Sequence, residues 1–152
     1  MVTKLVCNLL LPMNSKKLYE HALKDFGLSE VSGKASNPRI QKAIARAADW
    51  LDSDDSKTAW CGCMMGLWCK ELGLPVPKEY FRAANWRTVG KEVLLDDAVQ
   101  GDIIVMSRTG GNHVTLFSKV KDGLVYCLGG NQKDAVNISA FSVKLVDNIR
   151  RL

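Results

Sequence analysis

The chain has 152 residues, 47% hydrophobic and 24% charged, which is enough to bury the core of one domain. This composition excludes an intrinsically disordered chain, and 12 glycines with 4 prolines exclude a fibrous or low-complexity one. No apolar run in the sequence approaches the roughly 20 residues that a membrane span requires. We therefore expect a single soluble domain over residues 1–152, with its core at about 14–151 and residues 1–12 as a candidate extension.

The net charge of +5, from 21 Lys and Arg against 16 Asp and Glu, favours anionic partners. The basic residues are scattered, however, and aromatic residues do not alternate with them as in nucleic-acid channels, so we predict no nucleic-acid partner. The most apolar stretch, residues 5–13, is interrupted by Cys7 and Asn8, and no small-residue cleavage site follows it. We accordingly expect neither a signal peptide nor stable insertion into a membrane.

The first half of the chain predicts three helices. Apolar residues recur at helical spacing after Asn14 and Ser15, either of which predicts an N-cap, and Gly27 ends this first helix. A second helix is predicted from Arg39 to Leu51, and a third from Cys61 to Leu72.

From Gly101 onward the pattern changes to short β-branched and apolar runs separated by turn residues. The predicted strands cover residues 102–106, 113–117 and 124–128, with one or two more within 136–145. Helices first and an antiparallel meander second predict an α+β fold, with N-terminal helices packed on a C-terminal antiparallel β-sheet.

Five cysteines cannot all pair within the chain, and their spacing is not that of a disulfide framework, so free thiols are expected. Cys61, Cys63 and Cys69 lie along one predicted helix and cannot converge tetrahedrally on zinc. The acidic stretch 52–55 does not have the spacing of a calcium-binding EF-hand loop. The sequence therefore predicts no metal site and no cofactor.

Cys61 is the candidate nucleophile, because it begins a predicted helix, where unpaired N–H groups and the helix dipole favour a thiolate. Of the two histidines, His113 opens a strand beside two glycines and is the candidate base for the Cys61 proton. A third group should orient the imidazole. Asn131 or Gln132, at the end of the next strand, lies within side-chain reach across the hairpin and is the candidate for that role.

These residues belong to four motifs that carry a family resemblance. In chain order they are Trp60-Cys61, Gly101-Asp102-Ile103-Ile104-Val105, Asn112-His113-Val114 and Gly129-Gly130-Asn131-Gln132. Together they resemble the small papain-like cell-wall hydrolases of the CHAP and NlpC/P60 clan, most closely the single-domain phage endolysins. The resemblance covers roughly residues 16–151.

The resemblance implies a papain-like fold and cysteine-dependent hydrolysis of an amide in bacterial peptidoglycan, within the stem peptide or where it joins the glycan. It implies Cys61 as nucleophile, His113 as acid and base, and Asn131 as the residue that orients His113, with no metal. Supporting or substrate-binding positions fall on Trp60, Gln132 and Asp55. An endolysin of this kind is expected to be a monomer that is made in the host cytoplasm without a signal peptide and acts on the wall after release.

Two further hypotheses remain open. A protein of the same fold and chemistry can serve as an amidase toxin delivered between bacteria, or the chain can be a non-catalytic wall-binding or virion module. Whether the bond cleaved is that of an N-acetylmuramoyl-L-alanine amidase or of a peptidoglycan endopeptidase also stays open at this point.

Overall fold

The structure, a computed structural model, describes residues 12–31, 36–55 and 58–152. Within these residues three α-helices precede a six-stranded sheet, which confirms the α+β prediction. The helices are α1 (Met13–Leu23), α2 (Pro38–Ala47) and α3 (Cys61–Glu71). The strands are β1 (Lys91–Glu92), β2 (Ile103–Arg108), β3 (Gly111–Lys121), β4 (Leu124–Gln132), β5 (Ala135–Ser142) and β6 (Val146–Arg151).

The sheet has the order β1-β6-β2-β3-β4-β5, and its strand pairs are antiparallel. Strands β2 to β5 form the predicted meander. Strand β6 was not predicted, because residues 146–151 are mostly polar and end in two arginines. It nevertheless lies inside the sheet, where Ile149 is buried and pairs with Ile104 of β2.

Helix α1 does not begin as the sequence predicts. Its N-cap position is Pro12, without a side-chain capping bond, so the prediction of Asn14 or Ser15 as the cap is wrong. The Ser15 hydroxyl instead donates a buried hydrogen bond of 2.8 Å to Asp102 Oδ1. The side chain therefore ties the helix to the sheet, a tertiary contact that outweighs its local preference for a cap.

Helix α2 begins at Pro38 after Asn37, whose side chain accepts hydrogen bonds from the next two backbone N–H groups. It ends at Ala47, four residues before the predicted end at Leu51. Beyond the helix the chain turns, and the ring of Trp50 lies edge-to-face against Phe81, with 5.2 Å between ring centroids.

Helix α3 is buried from Cys61 to Cys69 and packs against β3 and β4. Its first turn closely approaches the segment at residues 80–81, because a Cβ at Gly62 would lie 2.6 Å from the carbonyl oxygen of Tyr80. The N-terminus of α3 is thereby fixed in position by backbone contact.

The sheet buries both of its faces. The face toward the helices carries Val105, Val114 and Leu116, within the larger hydrophobic core. Side chains on the opposite face form a second, smaller core of Ile104, Met106, Phe117, Val125, Cys127 and Ile149. Alternation along each strand assigns neighbouring residues to opposite faces.

A buried carboxylate, Asp102, joins the ends of the fold. It accepts hydrogen bonds from Ser15, from the backbone N–H of Val99 and, through both oxygens, from Arg151. In this ion pair the side chain of Asp102 is fully buried and that of Arg151 is 13% exposed. The Gly101-Asp102 motif therefore holds α1, β2 and β6 together.

In the described part of the chain, no helix combines the length and apolar character needed to cross a membrane.

Candidate active site

Cys61 is the first residue of α3, and its side chain is buried, with 5% exposure. Its sulfur accepts hydrogen bonds from the backbone N–H groups of Val114, on β3, and of Gly62, in its own helix. The β3–β4 ladder begins at the Leu116–Leu128 pair, so the N–H of Val114 bonds to the thiol rather than to β4. The structure thus brings Cys61 to the residue that follows His113.

Burial raises the pKa of the Cys61 thiol above its usual value, and the N–H groups of Val114 and Gly62 and the charge of Arg108 oppose this shift without reversing it. The expectation of a thiolate at this helix terminus is therefore wrong for the unliganded site. Desolvation outweighs the helix N-terminus because the sulfur is enclosed between α3 and β3.

His113 is fully buried on β3, opposite Met106 in the register and beside the ring of Phe141, with 5.7 Å between ring centroids. Its Nε2 lies 3.0 Å from Oε1 of Gln132, at the end of β4. Burial lowers the pKa of His113 to about 4, although the hydrogen bond to Gln132 opposes the shift. The imidazole is therefore neutral at pH 7.

The amide of Gln132 is oriented by its own hydrogen bonds. Its Nε2 donates to the carbonyl oxygens of Cys127 and Asn137, which can only accept. Its Oε1 therefore faces His113, and it also accepts a hydrogen bond of 2.8 Å from the Thr115 hydroxyl. It follows that Nε2 of His113 is the protonated nitrogen, and Nδ1 is the one with a free lone pair.

Nδ1 of His113 is buried and has no hydrogen-bond partner among the described residues. Buried polar atoms are almost always paired, since an unpaired one costs about 1–3 kcal/mol. A buried nitrogen that can accept a proton and has no partner among the described residues is available to act as a general base.

Of the two candidates for orienting His113, the structure places Gln132 on the ring and not Asn131. Asn131 adopts the left-handed conformation, with φ of 58°, and the β4–β5 register shifts between Gly129 and Gln132. This irregularity directs the Gln132 side chain toward His113.

Trp60 packs beneath the start of α3 and is a structural residue of the site, not one that faces a substrate. Its ring is fully buried, its Nε1 donates a 3.0 Å hydrogen bond to Glu30, and a Cβ at Gly130 would lie 2.6 Å from the ring. Trp60 therefore packs the start of α3 against the end of β4. This explains physically why a large residue and a glycine occur in the two motifs.

Asp55 is also buried, with 1% exposure. Its carboxylate accepts hydrogen bonds from the backbone N–H groups of Val31 and Asn37. Asp55 thus joins the segments that precede α2 and α3. Among the described residues it makes no hydrogen bond to Cys61 or His113, so its contribution to the site is indirect.

Arg108 is a residue of the site that the sequence reasoning did not single out. It ends β2 and pairs in register with Gly111, at the turn that leads into His113. Its positive charge lowers the pKa values of both Cys61 and His113. A basic residue two positions before Gly110 was the only available signal in the sequence.

The remaining cysteines of the described chain, Cys63, Cys69 and Cys127, are buried free thiols. Burial raises the pKa of each to about 12, which makes them inert. Cys7 lies outside the described residues. Cys61 is therefore distinguished from these three by the backbone N–H groups of Val114 and Gly62, which are directed at its sulfur.

A groove of about 450 Å³ lies beside this site. Its lining includes Ala59, two residues before Cys61, and Asn112, which precedes His113. Trp50, Phe81 and Arg82 also line it. The groove therefore lies next to residues that flank the two candidate catalytic residues in the chain.

No protein-family model matches the chain, and no curated protein does. Its fold, however, matches the P60 domain of an antigen from M. avium paratuberculosis, at 15% identity and a TM-score of 0.59, over 97% of this chain and 98% of that one.

Two proteins of Mycobacterium tuberculosis are also similar in structure. RipB, described as a peptidoglycan hydrolase, is 19% identical, with a TM-score of 0.58 over 93% of this chain and 65% of RipB. RipD, described as a non-catalytic NlpC/p60 domain protein adapted to peptidoglycan binding, is 16% identical, with a TM-score of 0.55 over 92% of this chain and 98% of that one. The chain therefore has the fold of an NlpC/P60 domain.

Proposed function

We propose that the chain is a peptidoglycan hydrolase of the endolysin type, which cleaves an amide bond in or next to the stem peptide with Cys61 as the nucleophile. One observation carries the proposal: the buried thiol of Cys61 faces the backbone N–H of Val114, the residue after a histidine whose tautomer is fixed by Gln132 and whose Nδ1 has no partner among the described residues. The motifs that resemble endolysins and the peptidoglycan-related fold neighbours support it.

In the first step, the sulfur of Cys61 attacks the carbonyl carbon of the scissile amide while Nδ1 of His113 takes the thiol proton. The carbonyl oxygen becomes an oxyanion near the backbone N–H of Cys61, at the N-terminus of α3, where unpaired N–H groups stabilise negative charge. His113 then returns the proton to the leaving amine. The carbon–nitrogen bond breaks and a thioester remains on Cys61.

In the second step, water attacks the thioester. Nδ1 of His113 accepts a proton from the water, the carbon–sulfur bond breaks, and the proton passes to the departing sulfur of Cys61. Throughout both steps Gln132 accepts a hydrogen bond from Nε2 of His113, which stabilises the imidazolium that forms transiently.

The resting pair is neutral, since burial raises the pKa of Cys61 and lowers that of His113. The proton therefore moves as the substrate is attacked, and not beforehand. A neutral thiol also resists oxidation and alkylation in the unliganded protein, because the thiolate is the reactive form.

The test is mass spectrometry of purified peptidoglycan after digestion by the wild-type protein and by Cys61→Ala. We expect new fragments from the wild type alone. Intact stem peptides released from the glycan would identify an amidase, and shortened stems would identify an endopeptidase.

The matched control is Cys69→Ala, which removes a buried thiol from the same helix, away from the groove. It should digest the wall as the wild type does. Fragments produced by Cys61→Ala would exclude the cysteine mechanism, and an inactive wild type would exclude hydrolysis.

A second candidate function, peptidoglycan binding without catalysis, is suggested by the likeness to RipD. It predicts that wild type and Cys61→Ala bind purified peptidoglycan equally and release no fragments. The Nδ1 of His113, which has no partner among the described residues, argues against it, because a binding module gains nothing from an unsatisfied buried nitrogen.

A further inference from the structure

We infer that the groove between Ala59 and Asn112 is a saccharide subsite, which binds an N-acetylated sugar of the glycan strand next to the scissile amide. The inference rests on the proposed function and refines it, because a sugar directly beside the cleaved bond defines an amidase that separates the stem peptide from the glycan.

The lining of the groove includes an aromatic surface, formed by Trp50 and Phe81. Trp50 is 67% exposed, although it is among the largest apolar side chains, and its ring is held edge-to-face by Phe81 at 5.2 Å between centroids. Such an exposed ring, fixed by a second ring, leaves apolar surface in water and adds nothing to the core, which is typical of a binding surface. The C–H face of a pyranose ring stacks on such a surface.

Polar groups with the chemistry of a sugar ligand flank this aromatic surface. The side-chain nitrogen of Asn112 donates to the carbonyl oxygen of Met106, at 3.2 Å, and to the Ser107 hydroxyl. Its Oδ1 accepts no hydrogen bond from the described residues, and Asn112 is half-buried in the lining of the groove. This oxygen can accept a hydrogen bond from the N–H of an acetamido group.

The charge of the groove is also suited to this ligand. Arg82 is its charged side chain, half exposed and paired with Glu79 outside the lining, and its guanidinium lies over the Phe81 ring at 5.2 Å. A cation held over an aromatic ring keeps its outer N–H groups directed at solvent, where they can donate to sugar hydroxyls or to the ether and carboxamide oxygens of a lactyl substituent.

The position of the groove relates the sugar to the cleaved bond. Ala59 is two residues from Cys61, at most about 7 Å along the backbone, and Asn112 directly precedes His113. We therefore place a group bound in the groove within about one sugar ring of the carbonyl that Cys61 would attack. In peptidoglycan, the amide with a sugar at that distance is the one that joins the lactyl group of the muramic acid to the stem peptide.

The experiment compares two soluble substrates: a stem peptide that carries N-acetylmuramic acid and the same peptide with a simple N-acetyl group in its place. We expect the wild type to cleave the sugar-bearing amide with a kcat/KM at least tenfold higher. Trp50→Ala should raise KM for the sugar-bearing substrate about tenfold and leave kcat within about twofold, whereas Trp50→Tyr, which retains a ring, should restore most of the affinity.

The matched control is Phe26→Ala, which removes another exposed aromatic ring, outside the groove. It should not change KM for either substrate. Equal kcat/KM for the two substrates, or an unchanged KM in Trp50→Ala, would overturn the saccharide subsite while leaving the hydrolase intact. Cleavage only within the peptide would overturn it as well, whereas no cleavage of either substrate or of whole peptidoglycan would count against the proposed function itself.

Discussion

Two buried polar clusters in this molecule are built from similar groups but differ in one respect. Around Asp102, the hydrogen bonds from Ser15, Val99 and Arg151 occupy both carboxylate oxygens. Around Gln132, the amide is equally saturated by its neighbours, yet one atom of its partner His113, the ring nitrogen Nδ1, has no partner within residues 12–31, 36–55 and 58–152.

The difference separates a structural cluster from the cluster at the candidate active site. In a saturated cluster, the hydrogen bonds offset the free energy that it costs to bury the charges, and they fix the relative positions of distant segments. A cluster with one unpaired atom gives up stability in order to keep a proton acceptor available. The comparison predicts that changes at the first cluster affect folding, and changes at the second affect chemistry.

The largest effect is expected from His113→Asn, which keeps a buried polar side chain but removes the base. Hydrolysis of peptidoglycan should fall by about 10³-fold, since general acid–base catalysis contributes 10²–10⁴-fold. The measurement is the rate of release of soluble fragments at saturating enzyme. A rate within tenfold of the wild type would contradict the role of His113.

Asp102→Asn tests the opposite side of the comparison. It leaves Arg151 without its carboxylate, and the loss of one partner from a buried ion pair typically costs about 3–5 kcal/mol. Urea denaturation should show this loss, while activity per folded molecule stays near that of the wild type.

The control for this change is Asp96→Asn, at an exposed position, which should alter stability by less than about 0.5 kcal/mol. If Asp102→Asn reduced activity without reducing stability, the structural assignment of this cluster would be wrong.

The third prediction concerns pH. The pKa of His113 is about 4 in the folded protein, below its ordinary value of 6.5, so between these values the unfolded chain binds more protons. Stability should therefore decrease as the pH falls from 6.5 to 4, by about 3 kcal/mol from this residue, at 1.36 kcal/mol per pKa unit.

Urea midpoints at pH 7 and pH 4.5 measure this effect. His113→Asn should lose less stability over the interval than the wild type, since it carries no titrating ring. Equal losses in the two proteins would mean that His113 is not held neutral by burial.

The smallest effects come from removing one hydroxyl in each cluster. Thr115→Val deletes the donor to the neutral amide of Gln132 and should cost about 1 kcal/mol. Ser15→Ala deletes a donor to a charged carboxylate and should cost more, about 1.5–3 kcal/mol. Thermal and urea denaturation distinguish them, and the reverse order would contradict the ranking of the two clusters.

The fold class could be predicted from sequence because it depends on local signals, and local motifs also suggest the candidate site residues, whose roles stay predictions. The periodicity of apolar residues, the turn residues and the motifs around Cys61 and His113 can each be recognised within a few consecutive positions. The sequence could not show that Gln132, and not Asn131, bonds to His113, because this depends on a left-handed residue and a register shift in β4.

Two further features depended on contacts between distant parts of the chain. The helix terminus predicts a thiolate at Cys61, but the sulfur is enclosed by β3, whose proximity the sequence does not reveal. Ser15 likewise resembles a helix cap from the sequence alone, but its hydroxyl donates a hydrogen bond to Asp102, 87 residues later.

The placement of β6 has a consequence for the synthesis of the protein. The ribosome makes residues 146–151 last among the six strands, yet β6 lies between β1 and β2. While these residues remain in the exit tunnel, β2 lacks one of its two neighbours and Asp102 lacks Arg151. The nascent chain can form its helices and the β2–β5 meander early, but the sheet can be completed only after this segment has emerged, so a chain truncated before it should be recognised and degraded as unfolded.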